Sequence, residues 1–314
     1  MTVLDNFFRG DVRALSKVIS FIENRENGYR ELLSKLYENV GYSLRVGITG
    51  PPGAGKSTLV NNLIHQFLKE NKKVGVIAVD PTSPFTGGAL LGDRVRMHEF
   101  PSNSGVYFRS MASRGALGGL SSATGNITVV LDAFGFDISL IETVGVGQAE
   151  LDIIDTCDTV VVTIVPESGD VIQTMKAGLM EIADIFVVNK ADRTGAEKVT
   201  MALKQTIETQ KKKENLWEIP IIQTIAIDNK NIDLLFNKIK EHITFIKANN
   251  QFEQHRREQI RKKIWAILKT RFQKEFLDRL SIKVDFNEIV EQIYIGQANP
   301  YKVSEELYQQ FYKD

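Results

Sequence analysis

A glycine-rich loop between an apolar strand and an amphipathic helix restricts the possible folds of this 314-residue chain more than any other stretch. The loop reads Gly50-Pro51-Pro52-Gly53-Ala54-Gly55-Lys56-Ser57 and follows the apolar run Val46-Gly47-Ile48. Leu59, Leu63 and Phe67 come next, at helical spacing. A strand, a glycine loop and a helix in this order form the context of a phosphate-binding P-loop. The chain is therefore predicted to bind a nucleoside phosphate.

The residue types of this loop have separate tasks in phosphate binding. Glycines let backbone N–H groups close around phosphate oxygens, and the N-terminus of the following helix adds a positive dipole. Lys56 reaches the β- and γ-phosphates, and Ser57 offers a hydroxyl to Mg²⁺. The residues predicted to bind the phosphates are Gly50, Pro51, Pro52, Gly53, Ala54, Gly55, Lys56, Ser57 and Thr58.

Seven short β-branched runs alternate with helical stretches in residues 43–230, which we assign to one P-loop domain. The runs are Arg45–Thr49, Lys73–Val79, Val106–Arg109, Asp137–Ile141, Thr159–Val165, Ile185–Val188 and Ile219–Ile225. Strands that alternate with helices imply βαβ units and a mostly parallel sheet. The predicted fold is an α/β P-loop NTPase with helices flanking the sheet.

The two ends of the chain show a helical pattern of apolar residues in place of the short β-branched runs. Residues 1–42 carry apolar residues at helical spacing and are predicted to form two short helices before the main domain. Residues 231–314 are rich in Lys, Glu and Gln, with Leu, Ile and Phe at three- and four-residue spacing. We expect an all-helical C-terminal extension there.

Composition excludes several classes of protein. Lys and Arg together number 39, as do Asp and Glu, so a general nucleic-acid binder is not expected. The single Cys157 and four scattered histidines argue against a disulfide framework and a cysteine-rich zinc site. The longest apolar run, Val160–Val165, is too short to span a membrane, and the N-terminus lacks a leader pattern. These features favour a cytoplasmic protein.

The segment Asn189-Lys190-Ala191-Asp192 predicts which base is bound. It follows the apolar run Ile185–Val188, at the sheet edge where open α/β sheets bind ligands. A carboxylate at Asp192 can accept the N1–H and N2 amino groups of guanine, donors that adenine lacks. Lys190 is placed to lie over the base plane, and Asn189 to brace the loop. The segment therefore favours GTP and GDP over adenine nucleotides.

Three acidic residues stand at predicted loops from which they can approach the phosphates: Asp80, Asp93 and Glu142. Phosphoryl transfer depends mostly on positioning and charge stabilisation, so hydrolysis needs Mg²⁺ ligands and a group that orients water. Glu142-Thr143-Val144-Gly145 lies where many GTPases carry Asp-x-x-Gly. The Gly145 N–H is therefore a candidate contact for the γ-phosphate.

Longer motif strings then resemble one family closely. They are Val79–Gly88, Leu91–Met97, Arg109–Leu120 and Glu142–Glu150. Together with the P-loop and the Asn189–Asp192 segment, they resemble the MeaB/ArgK group of GTPases, of the SIMIBI class of P-loop NTPases. Proteins of this group chaperone adenosylcobalamin-dependent acyl-CoA mutases, and the resemblance covers about residues 8–272.

The resemblance implies a function and a set of site residues. The function is a Mg²⁺-dependent GTPase that gates adenosylcobalamin loading or protection of an acyl-CoA mutase, with methylmalonyl-CoA mutase as the expected client. It also implies a homodimer, with the C-terminal helices supplying much of the contact, and a third switch from Pro166 to Lys176 that meets the mutase. The implied catalytic residues are Lys56, Asp80, Asp93 and Glu142, and the implied Mg²⁺ ligands are Ser57, Asp80, Asp93 and Glu142.

One loop departs from the family pattern. The second base-contacting loop of the family reads Ser-Ala-Leu followed by glycine, whereas this chain has Ile225-Ala226-Ile227-Asp228. The Ala226 N–H is still expected to reach the guanine O6, because that contact uses no side chain. Two other functions stay open: a metallochaperone GTPase for another metalloenzyme, and a GTP-binding scaffold with little hydrolysis.

Overall fold

A parallel sheet of seven strands organises the chain. The computed structural model describes residues 2–41, 43–80, 100, 104–112, 119–143, 152–167, 178–210, 217–283 and 285–313. Within them the strands are β1 (Leu44–Thr49), β2 (Val74–Asp80), β3 (Val106–Ala112), β4 (Ile138–Glu142), β5 (Thr159–Ile164), β6 (Ile185–Val188) and β7 (Ile221–Gln223). Their order is β3-β2-β4-β1-β5-β6-β7, and every pairing is parallel. Each of the seven predicted runs contains or overlaps one strand, and the predicted fold class is confirmed.

Helices cover both faces of this sheet. The helices of the described residues are α1 (Val3–Phe8), α2 (Val12–Glu23), α3 (Tyr29–Leu36), α4 (Lys56–Lys69), α5 (Gly119–Phe134), α6 (Leu179–Ile182), α7 (Ala196–Gln210), α8 (Ile232–Ala248), α9 (Gln251–Lys283), α10 (Phe286–Tyr294) and α11 (Pro300–Lys313). One apolar cluster joins α4 and α8 to one sheet face, and a second joins α2, α3, α5 and α7 to the other. The central strands β4, β5 and β6 are buried along their whole length, as expected for a sheet covered on both sides.

The N-terminal region holds three helices where two were predicted. The additional helix, α1, has a capping box in which the Thr2 hydroxyl accepts from the Asp5 N–H and Asp5 accepts from the Thr2 N–H. The helix has only six residues, fewer than two turns, so its apolar residues Val3, Leu4, Phe7 and Phe8 are too few to establish a helical period. The capping box was the sequence signal that could have revealed it.

The chain divides into two compact units, residues 1–256 and 257–314. The first contains the sheet and helix α8, whose Ile232, Leu235 and Ile239 are fully buried. The second unit contains the later part of α9, helix α10 and helix α11, with a turn between α10 and α11. Among the described helices, none combines the length and the apolar composition that a membrane-spanning segment needs.

Strand register brings the functional segments to one edge of the sheet. Glu142, the last residue of β4, pairs with Ile48 of β1 and Ala78 of β2. The glycine loop starts directly after β1, and Asp80 ends β2. The segment from Asn189 and the loop from Ile225 follow β6 and β7 at the same carboxyl edge, where parallel sheets bind ligands.

Candidate nucleotide-binding site

Two glycines of the loop lie too close to neighbouring atoms for any side chain. A Cβ on Gly50 would lie 1.9 Å from the Thr163 carbonyl oxygen, and Gly50 has a φ of +133°. A Cβ on Gly55 would lie 2.3 Å from Nδ2 of Asn189, and its φ is +86°. Both positions therefore require glycine, and the loop runs in close contact with β5 and with the segment after β6.

Lys56 begins α4 with its ammonium group inside the loop. The residue is 5% exposed, and Nζ donates to the carbonyl oxygens of Gly50 at 2.7 Å and Pro51 at 3.0 Å. A buried ammonium requires acceptors, which these carbonyls supply. Phosphate oxygens are stronger, charged acceptors for the same group. Lys56 is thus held where a bound phosphate would be enclosed by the loop.

Ser57 and Glu142 bring a hydroxyl and a carboxylate together beside the loop. Ser57 Oγ donates to Glu142 Oε1 at 2.5 Å, and Glu142 is 7% exposed. The hydroxyls of Thr49 and Thr143 lie 2.8 Å apart and connect the end of β1 to the residue that follows β4. Hydroxyl and carboxylate oxygens are the ligands that Mg²⁺ prefers in proteins. The donor set at this position therefore fits Mg²⁺.

The other predicted residues of the phosphate region are only partly described. Asp80 ends β2, paired with Ala112 of β3, and its backbone thus lies at the carboxyl edge of the sheet. Asp93 and Gly145 lie outside the described residues, as does most of the expected third switch. The register alone brings Asp80 and Glu142 to adjacent strand ends.

Asn189 connects three segments of the site. Its Nδ2 donates to the Ala54 carbonyl at 2.8 Å, and its Oδ1 accepts from the Thr224 hydroxyl at 3.0 Å and the Ala226 N–H at 3.1 Å. Asn189 is 2% exposed, so these bonds are shielded from water. The arrangement fixes the glycine loop, the segment after β6 and the loop after β7 relative to one another.

The next residues of this segment are more accessible. Lys190 has a φ of +57°, and Asp192 is exposed two residues later. Arg193 forms an ion pair with Glu167, and this hydrogen bond holds the pKa of the Glu167 carboxyl below its usual value. The Asp192 carboxylate is therefore accessible to a ligand at the sheet edge, as its predicted role requires.

The loop after β7 differs from the expectation in one respect. The Ala226 N–H, expected to reach guanine, donates to Asn189 Oδ1 in the structure. Ile225 forms an antiparallel bridge with Lys230, and Ile227 is 86% exposed. Ala226 would therefore have to share its N–H or change acceptor to contact a base.

The sequence analysis missed two side chains that support this loop. Thr224 is fully buried and donates to Asn189, while Asn62 of α4 donates from Nδ2 to the Ala226 carbonyl at 2.7 Å. The position of Thr224 directly before the loop that is predicted to contact the base was an available signal. Asn62 is 164 residues from its partner, so no local pattern indicates this contact.

Comparison with known proteins gives a consistent result. Residues 15–280 match the family described as "Methylmalonyl Co-A mutase-associated GTPase MeaB". A putative GTPase of Pyrococcus abyssi is 47% identical over 306 residues, which cover 96% of this chain and 94% of that protein. The GTPase ArgK of Escherichia coli is 31% identical, over 93% of this chain and 89% of ArgK. A crystal structure titled LAO/AO transport system kinase aligns with a TM-score of 0.72 and 25% identity, covering 99% of this chain and 97% of that one.

Proposed function

The chain belongs to the family of methylmalonyl-CoA mutase-associated GTPases, and from this we propose that it is a GTP-hydrolysing chaperone for an adenosylcobalamin-dependent acyl-CoA mutase. The main support for nucleotide binding is the bridge that the Asn189 side chain makes between Ala54 and Ala226. The bridge fixes the segment after β6 relative to the glycine loop, which supports a site where the first binds the base and the second binds the phosphates. The proposed ligands are GTP and GDP.

Guanine selection is assigned to the segment after β6. The exposed Asp192 carboxylate accepts the guanine N1–H and N2 amino group, and the Lys190 side chain lies over the base. An adenine base offers no hydrogen at N1 and would leave Asp192 unpaired. A site that leaves a polar group unpaired discriminates strongly against the wrong ligand.

Hydrolysis is assigned to residues around the glycine loop. Lys56 moves its hydrogen bonds from the Gly50 and Pro51 carbonyls to the β- and γ-phosphate oxygens. Ser57 and Glu142, with Asp80 and Asp93, are the residues that would hold Mg²⁺. Mg²⁺, when bound, neutralises charge that develops on the phosphates. The acidic side chains also orient the attacking water, and the Gly145 N–H contacts the γ-phosphate.

The client is proposed from the family description, which names methylmalonyl-CoA mutase. We assign the protein the task of gating adenosylcobalamin loading or protection of that mutase, with GTP hydrolysis as the timing step. The segment from Pro166 to Lys176 is the proposed contact for the mutase. The buried free thiol of Cys157 suits a reducing compartment, so the proposed location is the cytoplasm.

A homodimer formed through the C-terminal helical region, residues 231–314, completes the proposal. Helix α9 carries exposed apolar side chains at helical spacing: Ile260, Ile264, Ile267, Leu268 and Phe272 are each about half exposed. Trp265, at 67% exposure, lies beside them. An exposed apolar stripe of this kind favours association with another surface.

Competitive nucleotide binding tests the proposed nucleotide. A fluorescent GDP analogue bound to the purified protein should be displaced by GDP and GTP, whereas ADP and ATP at the same concentrations should leave it bound. Displacement by ADP as efficient as by GDP would contradict the guanine assignment. Sedimentation of the same sample tests the dimer, and a monomer at micromolar concentration would contradict that part of the proposal.

A further inference from the structure

In the loop after β7, both the N–H and the carbonyl group of Ala226 are held by hydrogen bonds. Ala226 is 4% exposed and belongs to the apolar cluster that includes Leu59, Leu63 and Ile239. Its N–H donates to Asn189 Oδ1 at 3.1 Å. Its carbonyl accepts from Nδ2 of Asn62 at 2.7 Å and from the Asn229 N–H at 3.2 Å. Two asparagine side chains from different elements therefore hold two consecutive peptide groups.

Asn62 supplies the shorter of the two hydrogen bonds to the second of these peptide groups. A peptide unit is planar and trans, so a fixed Ala226 carbonyl also fixes the direction of the Ile227 N–H on the opposite side. Among the described residues no acceptor takes that Ile227 N–H. The Ile227 side chain is 86% exposed, so the surroundings of this peptide are accessible to a ligand.

We propose that Asn62 is a positioning residue for guanine recognition, which orients the Ala226–Ile227 peptide so that the Ile227 N–H binds the guanine O6. This inference rests on the proposed function, since it requires a guanine nucleotide at the site. It assigns the O6 contact to a donor that is available, because the Ala226 N–H already has Asn189 as its acceptor.

The same contact joins base recognition to phosphate binding. Asn62 lies on α4, six positions after Lys56, and Lys56 begins that helix within the glycine loop. A helix is a stiff element with a rise of about 1.5 Å per residue. Through Asn62, helix α4 therefore fixes the position of the Ala226–Ile227 peptide relative to the proposed phosphate site.

Removal of the Asn62 amide should leave the fold in place. Asn62 is only half-buried, and alanine has a higher helix propensity than asparagine. The apolar packing of Ala226 against α4 and α8 does not depend on the amide. A loss of nucleotide affinity in Asn62→Ala would therefore report on orientation of the peptide.

The test compares two nucleotides on three variants. GDP and 6-thio-GDP differ only at position 6, where sulfur accepts hydrogen bonds less well than oxygen. Their dissociation constants are measured for the wild type, Asn62→Ala, Asn62→Asp and the control Gln66→Ala, one turn further along α4. Asn62→Asp keeps the size of the side chain but removes the donor to the Ala226 carbonyl.

We expect Asn62→Ala to weaken GDP binding about ten-fold, and Asn62→Asp at least as much. Binding of 6-thio-GDP should weaken less than about three-fold, and Gln66→Ala should bind both as the wild type does. Unchanged GDP affinity, or equal losses for both nucleotides, would overturn the role of Asn62. A wild type that binds no guanine nucleotide would instead contradict the proposed function itself.

Discussion

Nδ2 of Asn189 donates to the carbonyl oxygen of Ala54 at 2.8 Å, and this bond connects the segment after β6 to the glycine loop after β1. The close approach depends on Gly55, because a Cβ there would lie 2.3 Å from the same Nδ2 atom. The amide is buried, so water does not compete for the bond. The spacing between the segment after β6 and the glycine loop thus depends on the Asn189 side chain and on Gly55.

Replacement of Asn189 should weaken both the fold and nucleotide binding. Asn189→Ala leaves the Ala54 carbonyl, the Thr224 hydroxyl and the Ala226 N–H without their partner in a buried region. We expect the free energy of unfolding to fall by about 3 kcal/mol, measured by urea denaturation. Asn249→Ala, which removes an exposed amide at the end of α8, is the matched control and should stay within about 0.5 kcal/mol of the wild type. Equal stability of the two variants would contradict the bridging role.

Loss of the loop lysine should abolish tight triphosphate binding while the fold remains. Lys56→Ala removes a buried ammonium together with its bonds to Gly50 and Pro51. GTP affinity, measured by calorimetry, should fall by about 100-fold or more, because a charge-assisted bond to phosphate is lost. The circular dichroism spectrum should match that of the wild type. Unchanged affinity in a folded variant would rule out the phosphate role of Lys56.

A change at Asp192 should alter the preferred base. Asp192→Asn replaces an acceptor with a donor opposite the N1–H and N2 groups of guanine. GTP should bind more weakly and xanthosine triphosphate, which carries an oxygen at position 2, more tightly. The ratio of the two dissociation constants should shift by roughly 100-fold. Asp233→Asn, an exposed carboxylate in the first turn of α8, serves as control and should keep the wild-type ratio.

The carboxylate of Glu142 should matter for hydrolysis more than for nucleotide binding. Glu142→Gln keeps the size of the side chain but removes the charge beside Ser57. We expect the single-turnover rate with GTP to fall by about 100-fold and the Mg²⁺ concentration for half-maximal rate to rise. Chelation of Mg²⁺ should remove hydrolysis by the wild type. A Glu142→Gln protein with an unchanged rate and Mg²⁺ requirement would show that another group holds the ion.

Local sequence patterns predicted the sheet because each strand is a short β-branched run between helical stretches. The run Val160–Val162 is buried in β5, and a short β-branched run of this kind is typical of a parallel strand that is covered on both faces. Helix α1 was missed because its six residues make fewer than two turns. Apolar residues at helical spacing cannot establish a period over so short a stretch.

The sequence predicted those residues of the candidate site that belong to contiguous motifs, such as the glycine loop and the segment Asn189–Asp192. Asn189 is recognisable from its segment, but its partners Ala54 and Thr224 come together only after β1, β6 and β7 have paired. Asn62 sits in a helix that is predicted from the leucines around it, and nothing local connects its amide to Ala226. The proposed donor to the guanine O6, the Ile227 N–H, likewise rests on tertiary hydrogen bonds around Ala226.

GTP hydrolysis by the purified protein, alone and with methylmalonyl-CoA mutase from the same organism, tests the central claim most directly. ATP is the control substrate, and Lys56→Ala is the control protein. We predict slow hydrolysis of GTP by the protein alone, a marked increase when the mutase is added, and no comparable hydrolysis of ATP. Hydrolysis of ATP as fast as that of GTP, or no GTP hydrolysis with or without the mutase, would contradict this account.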